Sequence, residues 1–125
     1  MKLSEAQVKQ AVDEYLTYQM NQGNLWKARL NAGDFIEMRG NTRRRIKGVG
    51  KGTADFIMIK PVFISIGGYA PRIPSVEVIF IEVKSTTGKQ SPEQVDFENM
   101  AIGLGCKYAL VRSIEDLERL ASKED

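Results

Sequence analysis

The sequence predicts an α/β domain, a mixed central sheet flanked by helices, and three observations carry that prediction. Capped segments with apolar residues at helical spacing stand near the start, past the middle and at the end of the chain. Runs rich in Ile, Val and Phe lie between them, the strongest being Val76 to Lys84. From Val76 to Val111 the order is strand, helix, strand, which in one sheet makes a parallel crossover. At 125 residues the chain is one domain, 1–125, large enough to bury a core.

The first helix is expected from Ser4 to about Met20. Ser4 and Gln7 make a Ser-x-x-Gln capping box, and Val8, Ala11, Val12, Tyr15 and Leu16 form an apolar stripe. Gln22-Gly23-Asn24 ends it. Leu25 to Leu30 and Phe35 to Met38 read as short strands separated by a turn at Asn31 to Asp34. Gly40 to Gly52 reads as a glycine- and arginine-rich loop. Thr53 to Ile66 has the composition of a buried strand, with Pro61 demoting its later half to an edge or bend. Gly67 to Pro74 reads as a loop, and Ser85 to Gln90 as a turn. Ser91-Pro92-Glu93-Gln94 opens the second helix with an N-cap serine, a proline at the first helical position and a glutamine closing the box. That helix runs to about Leu104. Tyr108 to Val111 is a short buried strand, and Ser113 caps a final helix from Ile114 to about Ala121. The strands before the crossover, joined by short connections, are expected to be antiparallel.

Composition narrows the chemistry. No apolar run reaches the ~18 residues of a membrane span, and the N-terminus has no apolar core of a secretory signal. Cys106 is the only cysteine, so no intramolecular disulfide forms, and a reducing, cytoplasmic setting is expected. There is no histidine. Imidazole bases, His triads and His-containing zinc sites are excluded, which leaves oxygen ligands and a hard cation such as Mg²⁺. The net charge is only +2, but six basic residues and no acid lie between Met38 and Ala54. Arg39, Arg43, Arg44, Arg45, Lys47 and Lys51 read as phosphate contacts, giving affinity rather than sequence specificity. A merely solvated charge run is the plainer alternative; its position, leading straight into Asp55, favours function.

Asp55 precedes one buried strand, and Glu82 and Lys84 share a face of the next, because side chains at i and i+2 project together. If the two strands are neighbours, two carboxylates and an ammonium meet. That set suits metal-assisted phosphodiester hydrolysis. Glu82 sits in Val78 to Lys84, a run that suggests a sheet covered on both faces. A carboxylate there is costly to desolvate unless a cation compensates it. The plainer readings are an ion pair between Glu82 and Lys84, and an aspartate that serves a glycine-rich turn. Glu5 falls near Val12 and Leu16 in helical angle, on the core-facing stripe, whereas Glu14 lies opposite. It is a candidate third carboxylate, acting directly or through water, or else a first-turn acid favoured by the helix dipole. Gln94 shares a direction with Phe97 and Ala101, toward the sheet, while also serving the cap. Trp26 and Arg29 suit either the core or DNA.

Together, Gly52-x-x-Asp55, Glu82-x-Lys84 and Gln94 resemble the PD-(D/E)XK nuclease superfamily, most nearly its VRR-NUC type, over nearly the whole chain. The resemblance implies a restriction-endonuclease-like α-β-β-β-α-β core. It also implies a Mg²⁺- or Mn²⁺-dependent endonuclease acting on branched DNA, similar to Holliday junction resolvases and working as a homodimer. It would make Asp55, Glu82 and the Val83 carbonyl metal ligands, Lys84 catalytic, Gln94 a helix-borne active-site residue and Glu5 the first-helix acid. The chain departs from the pattern in Gly-Thr-Ala-Asp, where proline often precedes the aspartate, and in the long segment from Pro61 to Ser75. Two other readings stand beside it: a non-catalytic DNA-binding module on the same fold, and a sequence-specific restriction-type enzyme. The chain has little spare length for the base-reading subdomain that the latter needs.

Overall fold

Helix α1, Glu5–Asn21, begins at the expected capping box: the Ser4 hydroxyl accepts from the Gln7 N–H, and the Gln7 side chain accepts from the Ser4 N–H. Its stripe Val8, Val12 and Leu16 is buried. The computed structural model describes residues 2–30, 34–47, 49–68 and 72–122, without the side chains of 34–36, 45–47, 66, 72, 121 and 122. The turn expected at 31–34 and the middle of the loop expected at 67–74 therefore fall largely outside the described residues.

The main sheet has four strands in the order β1-β4-β5-β6: β1 Trp26–Arg29, β4 Phe56–Ser65, β5 Arg72–Val83 and β6 Lys107–Val111. β1 and β5 pair antiparallel with β4, and β6 runs parallel to β5. Helix α2, Pro92–Gly103, makes the crossover between β5 and β6, and α3, Ile114–Ser122, closes the chain. The remaining strands, β2 Asp34–Arg39 and β3 Thr42–Lys47, form a separate two-stranded sheet. The protein is thus mixed α/β, with three helices on the described residues, a mixed four-stranded sheet and a small hairpin.

Alternation along the central strands decides what each face carries. Ile79, Ile81 and Val83 of β5 join Phe56, Met58, Val111, Leu117 and the α1 stripe in one core. Each of these side chains contributes roughly 1.5–3 kcal/mol by leaving water. Phe80 and Glu82 point the other way. There Phe80 meets Phe97 of α2 edge-on, ring centroids 4.9 Å apart, and Phe97 in turn meets Tyr108.

Three elements differ from the sequence expectation, the first being β5, which begins at Arg72 and so takes in Ile73 and Pro74, expected as loop, paired with Ile64 and Phe63 of β4. The segment 40–52 is not a loop throughout, because Thr42–Lys47 pairs residue by residue with β2 around a turn at Gly40-Asn41. Consecutive basic residues, Arg43 to Arg45, hid the strand, since charged side chains carry no apolar period; the positive φ of Gly40, 59°, marks the turn. Likewise Pro61 does not end or bend β4. It pairs with Val76 of β5, and pairing continues out to Ser65 opposite Arg72. β1 covers β4 only from Phe56 to Ile59, so Pro61 stands where the other side of the strand is an open edge and no ladder N–H is required.

Candidate metal centre

Strand pairing brings the two carboxylates together. Phe56 pairs with Ile81, which sets Asp55, the residue before β4, across from Glu82. Two contacts fix Asp55: its Oδ2 accepts from the Val83 N–H at 2.7 Å, and its Oδ1 lies 3.1 Å from Lys9 Nζ. Glu82 is 2% exposed, the only charged residue type among the buried described residues. Its Oε1 is buried with no hydrogen-bond partner, alone in this among the described side-chain polar atoms. Burial foremost, then a hydrogen bond with Asp55 and repulsion from its charge, push the Glu82 acid far above the ordinary carboxylate range; Lys84 and Lys9 pull it back. Glu82 therefore keeps its proton at neutral pH in the metal-free protein. An unsatisfied buried acceptor of this kind costs about 1–3 kcal/mol.

Lys84 follows directly on β5 and is half-buried. Its backbone N–H donates to the Val111 carbonyl at 3.0 Å, which extends the parallel pairing by one residue. The turn behind it is held by Arg112, whose Nη1 donates to the carbonyls of Ser85 at 2.5 Å and Gly88 at 2.8 Å. Arg112 thus fixes the root of Lys84 from the neighbouring strand end.

The stretch leading to Asp55 is clamped as well. Gly52 has φ +90°, and a Cβ there would stand 2.5 Å from the Glu93 carbonyl oxygen in the first turn of α2. Only glycine allows that approach. Lys51 Nζ lies 3.6 Å from Glu93 Oε1 at the same contact. Thr53 turns back on Gly50 through its N–H at 3.2 Å and its hydroxyl at 2.6 Å. The Asp55 carbonyl accepts from the Leu30 N–H at 2.7 Å, tying the residue to β1.

A polar group borders the carboxylates on the α2 side. Gln90 Nε2 donates to Glu98 Oε1 and to the Tyr108 hydroxyl, both at 3.1 Å. Burial first, with the charges of Glu82, Glu98 and Asp55 adding to it against the Gln90 hydrogen bond, pushes the Tyr108 hydroxyl up to about 12. The hydroxyl therefore stays protonated at neutral pH.

Asp55, Glu82 and Lys84 thus gather at one end of β4 and β5. Val83 meets Asp55 through its N–H. Gln94 takes the capping role, its Oε1 accepting from the Ser91 N–H at 2.8 Å. Glu5 lies on the expected helical angle but is exposed, one turn ahead of the buried stripe, so the expectation that it faces the core is corrected. Among the described residues no third acidic side chain completes a metal-holding cluster. Helix α1 instead sends Lys9 to Asp55.

Sequence reasoning missed Lys9, although the angle that singled out Glu5 also places Lys9, one turn later, beside Leu16. Arg112, Gln90 and Tyr108 left no local signal, because their roles come from elements far apart in the chain. Of the basic residues, Arg39, Arg43 and Arg44 are exposed on the β2–β3 hairpin, with Arg39 Nε donating to Glu37 at 2.7 Å. Lys51 is exposed near α2. Arg45 and Lys47 lie on β3, with side chains outside the described set. Trp26 is 51% exposed at the start of β1, not in the core. Arg29 lies with its guanidinium 6.0 Å over the Phe56 ring and 3.8 Å from Asp13.

Comparison with protein-family models, curated proteins and solved structures finds no match to this chain. Among the described residues no helix is long and apolar enough to cross a membrane. A pair of carboxylates, one of them buried with a free oxygen, flanked by two ammonium groups, is able to take a hard divalent cation and to hold an anion beside it.

Proposed function

We propose that the chain is a divalent-metal-dependent endonuclease of the PD-(D/E)XK type that hydrolyses phosphodiester bonds in branched DNA. One observation carries this reading: Glu82, 2% exposed with a partnerless Oε1, stands beside Asp55 and two residues before Lys84. An oxygen ligand in want of a cation fits Mg²⁺ or Mn²⁺. The order of elements also supports the reading. Apart from the β2–β3 hairpin, the chain runs α1, β1, β4, β5, α2, β6, an α-β-β-β-α-β sequence.

Asp55 and Glu82, with the Val83 carbonyl, would hold the ion. Bound there, it would acidify a water and polarise the phosphoryl oxygens. Val83 N–H and the strand pairing keep Asp55 oriented, at no cost of reorganisation when substrate arrives. Lys84, fixed at its root by Arg112, offsets negative charge gathering on the phosphorane oxygens. Arg39, Arg43, Arg44 and Lys51 supply backbone contacts on DNA without base readout. A domain of this size cuts both strands of a symmetric junction as a homodimer, with its two sites related by a two-fold axis.

The test is a panel of end-labelled four-way junctions, flaps, splayed arms and linear duplex with Mg²⁺. Wild type is expected to cut a branched species. Glu82→Ala and Lys84→Ala are expected to lose cleavage by more than about a hundredfold while still shifting the DNA on a gel. Full cleavage by either variant contradicts the mechanism. A second reading, DNA binding without cleavage, draws on the Lys9–Asp55 pair, which supplies a cation to the site without metal. DNA shifted with no product in Mg²⁺ or Mn²⁺ would favour it.

A further inference from the structure

The Lys9–Asp55 contact has a consequence for metal binding. Lys9 rises from α1 one turn after Glu5, and its Nζ lies 3.1 Å from Asp55 Oδ1. Its side chain is 25% exposed and that of Asp55 18%, so the pair sits part-way out of water. The other Asp55 oxygen is taken by the Val83 N–H, which leaves Oδ1 as the oxygen that meets a cation.

We propose that Lys9 is a resident counter-cation of the carboxylate pair, which a divalent ion must displace from Asp55 Oδ1, so that Lys9 sets the threshold for metal binding. This inference rests on the proposed metal site and adds to it the group that competes with the metal. Without metal, Lys9 is the cation that Asp55 Oδ1 meets, at 3.1 Å. With metal, Oδ1 changes partner, and the long, flexible lysine stem lets the ammonium swing outward. Lys84 then remains beside a divalent charge, a surplus of positive charge suited to an anionic phosphate. Lys27 of β1 makes the other lysine pair with α1, at Asp13.

Calorimetric titration of Mg²⁺ and Mn²⁺ into the metal-free full chain tests this without any cleavage assay. Lys9→Met is expected to bind either ion roughly fivefold more tightly than wild type, the scale of one part-exposed ion pair no longer in competition. Its metal-free form is expected to melt lower than wild type, and saturating Mg²⁺ is expected to raise its melting temperature more. Lys27→Met, which removes an equal charge from the other pair, is expected to change the affinity less than about twofold. Unchanged or weaker metal binding in Lys9→Met overturns the proposal, and so does equal tightening in Lys27→Met. Asp55→Asn separates the two levels of the argument. If wild type binds metal and Asp55→Asn does not, the site stands whatever Lys9 does. If wild type and Lys9→Met both bind no metal, the site and the displacement fail together.

Discussion

Glu82 is the residue at which function and stability pull apart. A buried acid held above its ordinary range stabilises the fold least where it is forced to ionise. Its folded value is raised, so the contribution is fully present below the unfolded value near 4.5 and is lost as pH rises toward the folded one. Glutamine keeps the shape and has no charge to bury. The metal-free Glu82→Gln variant is therefore expected to melt higher than wild type at pH 8, by a few degrees. The gap should narrow as pH falls to about 4, below the unfolded value near 4.5, where wild-type Glu82 is largely protonated in both states. A thermal scan across that pH range checks it; a variant that melts lower at pH 8 would show that the carboxylate stabilises the fold. The residues of this pair were legible in the sequence because Glu-x-Lys and a preceding aspartate fall at strand spacing. Lys9 was not: a lysine on a helix surface is ordinary, and only the tertiary approach of α1 to Asp55 gives it a partner. Glu5 illustrates the reverse. Its angle was right, but it stands in the first turn of α1, before the first buried residue, Val8, and still meets water.

At the scale of elements, the site depends on how the segment before β4 is seated on α2. Gly52 carries that seat. Alanine there would need both the left-handed backbone at φ +90° and the space held by the Glu93 backbone. The two penalties together are about 2–5 kcal/mol. Gly52→Ala is expected to lower the melting temperature by roughly 10 °C or more, with metal binding lost in whatever remains folded. Gly40→Ala, at φ +59° with open space around its Cβ, is expected to cost about 1 kcal/mol. Parallel melts of the two variants check this; equal losses would show that the contact with α2 does not matter. Capping boxes made both ends of this argument legible, since Ser4 and Ser91 start α1 and α2 where the sequence places them. The hairpin was not legible. β3 is written almost wholly in basic residues, and its strand form follows from pairing with β2 rather than from an apolar pattern. Pro61 misled for a related reason, since whether a proline ends a strand depends on which neighbours the strand has.

For the whole molecule, the core and the charged side are set by different parts of the chain. The core comes from α1, α3 and one face of the sheet, all carried by apolar periodicity that the sequence displays. The opposite face carries Phe80, Phe97 and Tyr108, with Glu82 at its end. The β2–β3 hairpin adds exposed Arg39, Arg43 and Arg44. If these guanidinium groups contact the DNA backbone, Arg43→Ala with Arg44→Ala should weaken binding to branched and linear DNA alike. The slope of log affinity against log salt should fall by about 2, close to 0.9 per contact. Fluorescence anisotropy between 50 and 200 mM salt, a range over which such contacts change affinity by orders of magnitude, reads both. An unchanged slope would place the DNA elsewhere on the surface.

The central claim is that Asp55 and Glu82 form a divalent-cation site. Calorimetric titration of Mg²⁺ into metal-free wild type and Glu82→Gln, at pH 8 in the absence of DNA, tests it most directly. The account predicts saturable binding by wild type with release of close to one proton as Glu82 ionises, and no measurable binding by Glu82→Gln. Equal binding by the two proteins, or none by wild type with either Mg²⁺ or Mn²⁺, would contradict it.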